Sequence, residues 1–442
     1  MEKVLRFFEK YLIPKPLYRL GQPIYHFTLA FFAALIYGFP SRKMTIIGVT
    51  GTKGKTTTCN LIAQILNYAG LKTGMATTVN FRIGKKEWPN ETKQTMLGRF
   101  HLQKLIARMA KEKCKYAVIE TSSEGILQYR HQFIDYDMAV FTNLSPEHIE
   151  RHGGFENYRA AKIKLFEKVA KKENGVGVYN LDDENARYFL EPKIANQYVY
   201  TQRFAPPTGG KIQNLYHISY IKTSAKGTNF FLNKEQFKMP LIGEFNAYNA
   251  VAAISAVRAL NVPMGTIKKA LLKVQPPPGR LEMVDKGQKF TAIIDYSYEP
   301  ASLENALKTM KIFKPRRTIA LFGSAGGGRD KWRRPVMGEI ADKYADLIII
   351  TTDDPYDESP LNIIKDILKG VLKNRKRILD KNVFAIADRK TAIKKAIGLA
   401  KKNDAILFAG KGGETWMNVA NGKKIPWNET EIVKELIGEL VN

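Results

Sequence analysis

The sequence predicts an α/β protein: a P-loop central domain on a parallel sheet, followed by a smaller Rossmann-like α/β C-terminal domain. Three observations predict it. The run Gly48-Val49-Thr50-Gly51-Thr52-Lys53-Gly54-Lys55-Thr56-Thr57-Thr58 stands between a short apolar strand and a helical pattern over Asn60–Leu71, with Leu61, Ile62, Ile65 and Leu66 on one face. From residue 43 onward, short apolar strands alternate with helical stretches, the order of a parallel sheet with crossover helices. That series restarts after Pro276-Pro277-Pro278-Gly279, which divides the chain into residues 43–278 and 279–442.

Residues 1–42 form a short helical segment ahead of both domains. Tyr25–Phe39 is nearly continuous apolar sequence, preceded by Lys3, Arg6, Lys10, Lys15 and Arg19. As a helix it covers about 22 Å, short of a ~30 Å hydrocarbon core. Its late start and the lack of a small-residue cleavage site do not fit a signal peptide. Two readings stay open: a helix packed on the next domain, or a peripheral helix in an anionic membrane surface with its basic residues outward. His26 is given no role.

In the central domain, strands are expected at Met44–Val49, Tyr116–Glu120, Met138–Thr142 and Val176–Tyr179. Residues 197–239 hold short alternating runs, Tyr216–Tyr220 and Asn229–Leu232 among them, and read as an antiparallel insert; Asn246–Leu260 reads as a helix. In the second domain, strands are expected at Phe290–Tyr296, Thr318–Phe322, Leu347–Thr351, Val383–Ile386 and Ala405–Ala409, with a closing helix over Glu429–Val441.

The chain has 70 Lys and Arg against 42 Asp and Glu, a net charge of +28, which brings polyanions into consideration. The excess is spread along predicted helices as solvated faces, so no dedicated nucleic-acid site is expected, and the basic surface suits anionic small substrates. Two cysteines, Cys59 and Cys114, exclude a disulfide framework and a cysteine-rich zinc site, and a reducing cytoplasm fits.

The loop carries the chemistry. Glycines Gly51 and Gly54 let the backbone around Thr52 and Lys53 close on an anion, and the helix N-terminus adds partial positive charge. Lys55 then reaches the β/γ-phosphates of ATP and the Thr56 hydroxyl ligates Mg²⁺, with Thr57 beside it. The usual spacing has a glycine at position 49; here that residue is Val49, and Gly48 comes one residue early. Strand Tyr116–Ile119 ends in Glu120-Thr121-Ser122-Ser123, so Glu120 falls at a strand's carboxyl end beside the loop, where a hard oxygen ligand for Mg²⁺ belongs. The following strand ends in Thr142-Asn143-Leu144-Ser145-Pro146-Glu147-His148, and Arg159-Ala160-Ala161-Lys162 comes soon after.

From about Met44 to the C-terminus, through at least six motifs in chain order, the sequence resembles the Mur ligase family, ATP-dependent amino-acid ligases of peptidoglycan synthesis. It is most similar to the MurE type, the UDP-N-acetylmuramyl-tripeptide synthetases, which add a diamino acid to UDP-MurNAc-L-Ala-D-Glu. The resemblance implies that Glu120 binds one Mg²⁺, that His148 binds a second, and that Lys162 carries a CO₂-derived carbamate holding that second metal. It implies that Ser122, Gln128 and Arg130 contact the muramyl peptide. Thr95 falls in the substrate loop, where Met96 and Leu97 depart from the pattern. His101, His131, His152 and His217 receive no role.

Further resemblances place Asn249, in Gly243-Glu244-Phe245-Asn246-Ala247-Tyr248-Asn249, near the adenine, and Arg280, in Pro278-Gly279-Arg280-Leu281-Glu282, at the ATP phosphates. Asp295 is kept in Asp295-Tyr296-Ser297-Tyr298-Glu299-Pro300, where Tyr298 and Glu299 replace His and Thr. The Gly323–Arg334 loop, rich in Gly and Arg, is an anion-binding loop by its chemistry, and by resemblance Arg329 holds the carboxylate of the incoming amino acid. Asp353-Asp354-Pro355-Tyr356 stands where diaminopimelate enzymes have Asp-Asn-Pro-Arg. Tyr356 cannot form the bidentate pair of that Arg, which leaves lysine or another diamino acid open. Gly410 and Glu414 keep amino-acid contacts in a Gly-Lys-Gly-His-Glu motif whose His is Gly413 here, and Glu414 suits a distal ammonium.

The implied reaction phosphorylates an acceptor carboxylate with ATP; the amine of an amino acid then attacks the acyl phosphate, with a hinge near Pro276–Gly279 closing the C-terminal domain, in a monomer. Full-size MurE enzymes carry an N-terminal domain that grips the UDP moiety, where this chain has about forty residues, so the exact acceptor stays open. Two alternatives follow: a Mur-like ligase of another acceptor, of the folylpolyglutamate or cyanophycin type, and a basic P-loop switch protein that binds partners without making an amide.

Overall fold

The structure is a computed structural model that describes residues 15–92, 94–146, 152–203, 214–374 and 377–441. Contact clustering divides the chain into two compact units, residues 1–220, 230–237 and 247–272 in one and residues 221–229, 238–246 and 273–442 in the other.

The first sheet has eleven strands: β1 Thr45–Thr50, β2 Thr73–Ala76, β3 Asn80–Ile83, β4 Lys86–Pro89, β5 Tyr116–Glu120, β6 Tyr136–Phe141, β7 Val176–Asn180, β8 Asn196–Thr201, β9 Asn214–Ser224, β10 Gly227–Leu232 and β11 Glu235–Met239. Their order is β11-β10-β9-β8-β7-β6-β1-β5-β2-β3-β4. Strand β1 is parallel to both neighbours, with Val49 beside Glu120 on β5 and Thr50 beside Phe141 on β6. The carboxyl ends of three strands therefore open onto one place, where ligands bind in open α/β sheets.

Two stretches differ from expectation. Strands β8 and β9 continue the parallel sheet, β8 on β7 and β9 on β8, where an antiparallel insert was expected. Within residues 197–239, β9, β10 and β11 are joined by two-residue links, too short for a crossover. Strands β2 to β4 were not foreseen: they are four residues each, and the antiparallel β3 and β4 lack the long apolar runs that mark a buried parallel strand.

The second sheet has β12 Glu282–Val284, β13 Thr291–Asp295, β14 Thr318–Phe322, β15 Leu347–Ile350, β16 Val383–Ala385 and β17 Ala405–Ala409, in the order β12-β13-β17-β14-β15-β16. All are parallel except β12, which is antiparallel to β13. Both faces are buried: Ile293, Ala320, Phe322 and Ile348 enter one core, Ile294, Ile319, Leu321 and Ile349 the other. That is why these strands read as continuous apolar runs.

Helix α1, Lys15–Ile36, precedes the first sheet; it begins well ahead of the apolar run Tyr25–Phe39 and stops short of that run's end, with Pro23 inside it. Ala30, Ala33 and Ala34 are buried against the body. A 3-10 turn at Pro40–Lys43 leads into β1, and among the described residues no helix is long and apolar enough to cross a membrane.

Candidate active site

The loop after β1 leads directly into helix α2, Lys55–Tyr68, so the helix starts five residues earlier than its apolar face indicates. Gly51 and Gly54 have φ of +148° and +80°. A side chain at Gly51 would meet Thr142 Oγ1 at 2.0 Å, and one at Gly54 would meet Asn249 Oδ1 at 2.2 Å. These positions admit only glycine. Helix α2 opens without a side-chain cap, which leaves its N-terminal dipole available to an anion. Thr142 and Asn143, just beyond β6, fix the loop from outside: the Thr142 hydroxyl donates to Lys53 O at 2.8 Å, and Lys53 N donates to Asn143 Oδ1 at 2.9 Å.

Around this loop the predicted residues converge. Lys55 Nζ donates to Thr52 O at 2.8 Å, and Thr57 is buried. Glu120 is 2% exposed; its Oε2 accepts from the Thr56 hydroxyl at 2.9 Å and from Thr78 N at 2.8 Å. Lys162 is also 2% exposed, on a helix over Phe155–Val169, and its Nζ donates to Gly51 O at 2.8 Å from above the Tyr158 ring. Tyr158 in turn shares a 3.0 Å hydrogen bond with Thr52. Asn249 approaches Gly54 from the helix Glu244–Ala259. His148 lies outside the described residues. A carboxylate and a lysine amine, both buried and both bonded to one phosphate-type loop, make an uncommon pair, because each needs a partner of opposite character to offset its desolvation.

A second group lies just beyond β5. Ser122 caps the short helix Ser123–Leu127, its hydroxyl oxygen accepting from Gly125 N at 3.1 Å. Gln128 Oε1 accepts from Arg130 Nε at 3.1 Å and Nη2 at 2.6 Å, and Arg130 reaches Gln94 Oε1 at 3.0 Å and Met96 O, on either side of Thr95. Met96 and Leu97, the residues that depart from the family's substrate loop, are buried in the core and hold that loop down. Arg99, which the sequence did not single out, donates to Gln128 O at 2.5 Å. Neither Arg99 nor Arg130 forms an ion pair among the described residues, and Arg99 Nε and His26 Nδ1 are buried without partners. Burial and the neighbouring Arg130 pull Arg99 down to about 10, and burial with both arginines pulls His26 down to about 4. This half-buried pocket has cations to spare and invites an anion.

A third group belongs to the second unit. Asp353 and Asp354 follow β15, and Glu414 follows β17. Their carboxylates surround Lys411, which the sequence passed over although it stands between Gly410 and Gly412. Its Nζ donates to Glu414 Oε2 at 2.5 Å, Asp354 Oδ1 at 2.8 Å and Trp416 O at 3.0 Å, and lies 3.7 Å from Asp353. Burial opposes this ammonium, but the three carboxylates outweigh it and hold its pKa above the usual lysine value. Burial pushes Asp353 up. The carboxylate trio is thus filled by the chain's own ammonium, and at Gly410, φ +113°, a side chain would strike Asp353 Oδ2 at 2.7 Å.

Tyr356 stands beside this cluster with its hydroxyl 3.4 Å from Asn418 Nδ2, and Asn418 also donates to Asp354 at 2.9 Å. The glycine-rich loop owes part of its composition to packing: side chains at Gly326 and Gly327 would strike Pro355 O and the Tyr356 ring. Of its arginines, Arg334 is buried in ion pairs with Glu358 and Asp366, while Arg329 is exposed, with Tyr356, Tyr296 and Asp354 among the groups acting on its charge. Tyr296 donates to Glu414 Oε1 at 3.0 Å and lies under the Arg280 guanidinium. Asp295, at the end of β13, accepts from Leu281 N at 2.9 Å, and burial pushes its pKa up.

The chain is similar to known proteins along most of its length. The family models of the Mur ligase middle domain and the Mur ligase glutamate ligase domain match residues 49–257 and 279–412. The chain is 37% identical to a UDP-N-acetylmuramoyl-L-alanyl-D-glutamate–2,6-diaminopimelate ligase of Syntrophomonas wolfei, over 92% of this chain and 81% of that protein. It is 34% identical to a UDP-N-acetylmuramyl-tripeptide synthetase of Roseiflexus, over 97% of this chain and 85% of that protein. A solved diaminopimelate-adding ligase of the first kind superposes with a TM-score of 0.62 at 30% identity, covering 90% of this chain and 79% of that one. Folylpolyglutamate synthase of Mycobacterium tuberculosis shares the fold, with a TM-score of 0.69 at 18% identity, covering 87% of this chain and 92% of that one.

Proposed function

The chain belongs to the Mur ligase family, and on that footing we propose that it is an ATP-dependent amide ligase of the MurE type. It joins a diamino acid to a carboxylate of a UDP-MurNAc-peptide acceptor in peptidoglycan precursor synthesis, as a cytoplasmic monomer. The observation that carries this reading is the convergence of Thr56, Glu120 and Lys162 on the loop after β1. A nucleotide switch has no need of the buried lysine.

In this reading the loop binds the ATP phosphates, and Lys55 exchanges the Thr52 carbonyl for the β/γ-phosphates. Thr56 and Glu120 form a hard-oxygen pair of the kind Mg²⁺ takes. Mg²⁺ held by that pair would supply charge compensation for the transferring phosphoryl group. The Lys162 amine, on adding CO₂ and releasing a proton, would become a carbamate that with His148 would hold a second Mg²⁺. An acceptor carboxylate oxygen attacks the γ-phosphorus and ADP leaves. The amino-acid nitrogen then attacks the acyl carbon and loses a proton, and phosphate departs. Thr95, Ser122, Gln128 and Arg130, joined by Arg99 and His26, hold the anionic acceptor. Asn249, Arg280 and Asp295 serve the nucleotide. Arg329, Asp353, Asp354, Pro355, Tyr356, Gly410 and Glu414 serve the amino acid. The relatives' names specify 2,6-diaminopimelate, while the neutral Tyr356 hydroxyl favours a diamino acid whose distal end carries only an ammonium.

The test is ATP-dependent phosphate release with UDP-MurNAc-L-Ala-D-Glu, given lysine, ornithine or meso-diaminopimelate in turn. Turnover with one of them, and an amide product, is the expected result. Silence with all three, from protein that still binds ATP, overturns the acceptor and moves the activity to the folylpolyglutamate or cyanophycin type.

A further inference from the structure

Helix α1 is amphipathic in an inverted sense. Its buried contacts are small: Ala30, Ala33 and Ala34 are at most 2% exposed. Six of its large apolar residues face solvent, while Leu29 is half-buried. Ile24 is 71% exposed, Phe27 45%, Phe31 38%, Phe32 48%, Leu35 51% and Ile36 66%. Ile24, Phe27, Phe31 and Leu35 follow a spacing of three and four, and Phe32 and Ile36, four apart, widen the same face to about half of the helix surface. Phe27 and Phe31 lean on Phe133 at the margin of the face, with ring centroids 5.1 and 5.4 Å apart. A chain in water gains nothing by turning six such side chains outward, and a contiguous apolar patch of this kind marks an interaction surface.

Charge indicates what covers it. Between residues 10 and 43 the sequence carries Lys10, Lys15, Arg19, Arg42 and Lys43 and no acidic residue, within a chain of net charge +28. Arg42 and Lys43 are exposed just past the C-terminal end of the apolar face, and Arg42 stacks on Phe39 at 4.7 Å. Cations flanking a half-cylinder of Phe, Ile and Leu on a helix unable to span a bilayer are the pattern of a segment lying in an anionic interface. We propose that the outer face of helix α1 docks this enzyme on the surface of an anionic phospholipid membrane, with the Phe and Ile side chains among the acyl chains and the basic residues at the headgroups.

The experiment is co-sedimentation of the full chain with phosphatidylcholine vesicles, with and without about one-third phosphatidylglycerol, across a salt series. Wild type is expected to bind the anionic vesicles at least about tenfold more tightly than the neutral ones, and less tightly as salt rises. The combined variant Ile24→Asn, Phe32→Asn, Leu35→Asn, Ile36→Asn is expected to lose binding to both kinds while keeping wild-type ATP binding. Should that variant fail to fold, Arg42→Gln with Lys43→Gln leaves the apolar face intact and is expected to weaken anionic binding several-fold and flatten its salt dependence. Wild type that stays in the supernatant with anionic vesicles at low salt overturns the proposal. So does a wild-type dimer in sedimentation velocity that the four-site variant dissolves, since the face would then belong to a second copy.

Discussion

The loop after β1, proposed to take the nucleotide, and the Lys411 cluster, proposed to take the amino acid, are built from opposite materials. The first is made of main chain: two positive-φ glycines, an uncapped helix start, and neighbouring strand ends that clamp the loop from outside. Its few charged side chains lean on loop carbonyls or hydroxyls, as Lys55, Lys162 and Glu120 do. The second is made of side-chain charges that satisfy one another, with Lys411 held by Asp353, Asp354 and Glu414. A main-chain cradle accepts any triphosphate of the right shape, whereas a side-chain cluster can be retuned one residue at a time. The first region should therefore set how fast the reaction runs, and the second which amino acid enters it.

The widest test of that division is Lys162→Ala. It is expected to cut acceptor-dependent phosphate release by about a thousandfold or more, equally with every amino acid, because it removes charge stabilisation at the phosphoryl group. Bicarbonate should not rescue it, and ATP binding should persist. Full activity in this variant removes the carbamate from the mechanism; a loss confined to one amino acid breaks the division itself.

Lys411→Met strikes the other region. Removing the ammonium takes from three clustered carboxylates the one cation they share, at an expected cost of about 3–5 kcal/mol in unfolding free energy. The pH dependence has a definite sign. Burial already pushes the Asp353 carboxyl above its ordinary value, and without the neighbouring cation its folded-state pKa stands further above the unfolded one. The folded state then binds more protons, so its stability falls as pH rises, and the deficit should shrink as pH is lowered from neutral toward 5. Thermal melts of variant and wild type across that range decide it; a constant deficit shows that the cluster is not the cause. Tyr356→Arg has a smaller effect, raising the preference for meso-diaminopimelate over lysine in kcat/KM by about tenfold through a bidentate pair with the second carboxylate. An unchanged ratio takes Tyr356 out of selection.

The contrast also explains what could be read from the sequence. Main-chain sites leave a linear trace, since glycines, the strand before them and the helix after them are consecutive, and the apolar strands of both sheets stand out for the same reason. Side-chain clusters leave little. Lys411 lies in a Gly-Lys-Gly run that drew attention to its neighbours, but nothing in the spacing says that residues 353, 354 and 414 close around it. The short edge strands β3 and β4 escaped for want of an apolar run, and β8 and β9 because a parallel strand with a half-exposed pattern imitates an antiparallel one. Arg99 escaped because a first-turn arginine on an amphipathic helix reads as a solvated face, and only the fold brings it to Gln128 and Arg130.

Arg99 supplies the last and smallest test, because its pocket lies in the first unit yet is made of side chains. Two guanidiniums share Gln128 as an acceptor; among the described residues neither forms an ion pair, although Glu124 acts on Arg130 from a distance, and a partly desolvated cation such as Arg99 destabilises the empty protein. An acceptor anion relieves that cost on binding. Arg99→Met is therefore expected to raise the acceptor KM several-fold, up to about tenfold, with kcat and the KM for ATP unchanged, since it removes binding felt equally in the ground and transition states. The same substitution should leave the empty protein at least as stable as wild type, because a repulsion with Arg130 is lost along with one hydrogen bond to Gln128. A melting temperature that drops while the acceptor KM holds would make Arg99 a structural residue. Side chains near the nucleotide would then have no part in choosing substrates, and the division between the two regions would be sharper than proposed.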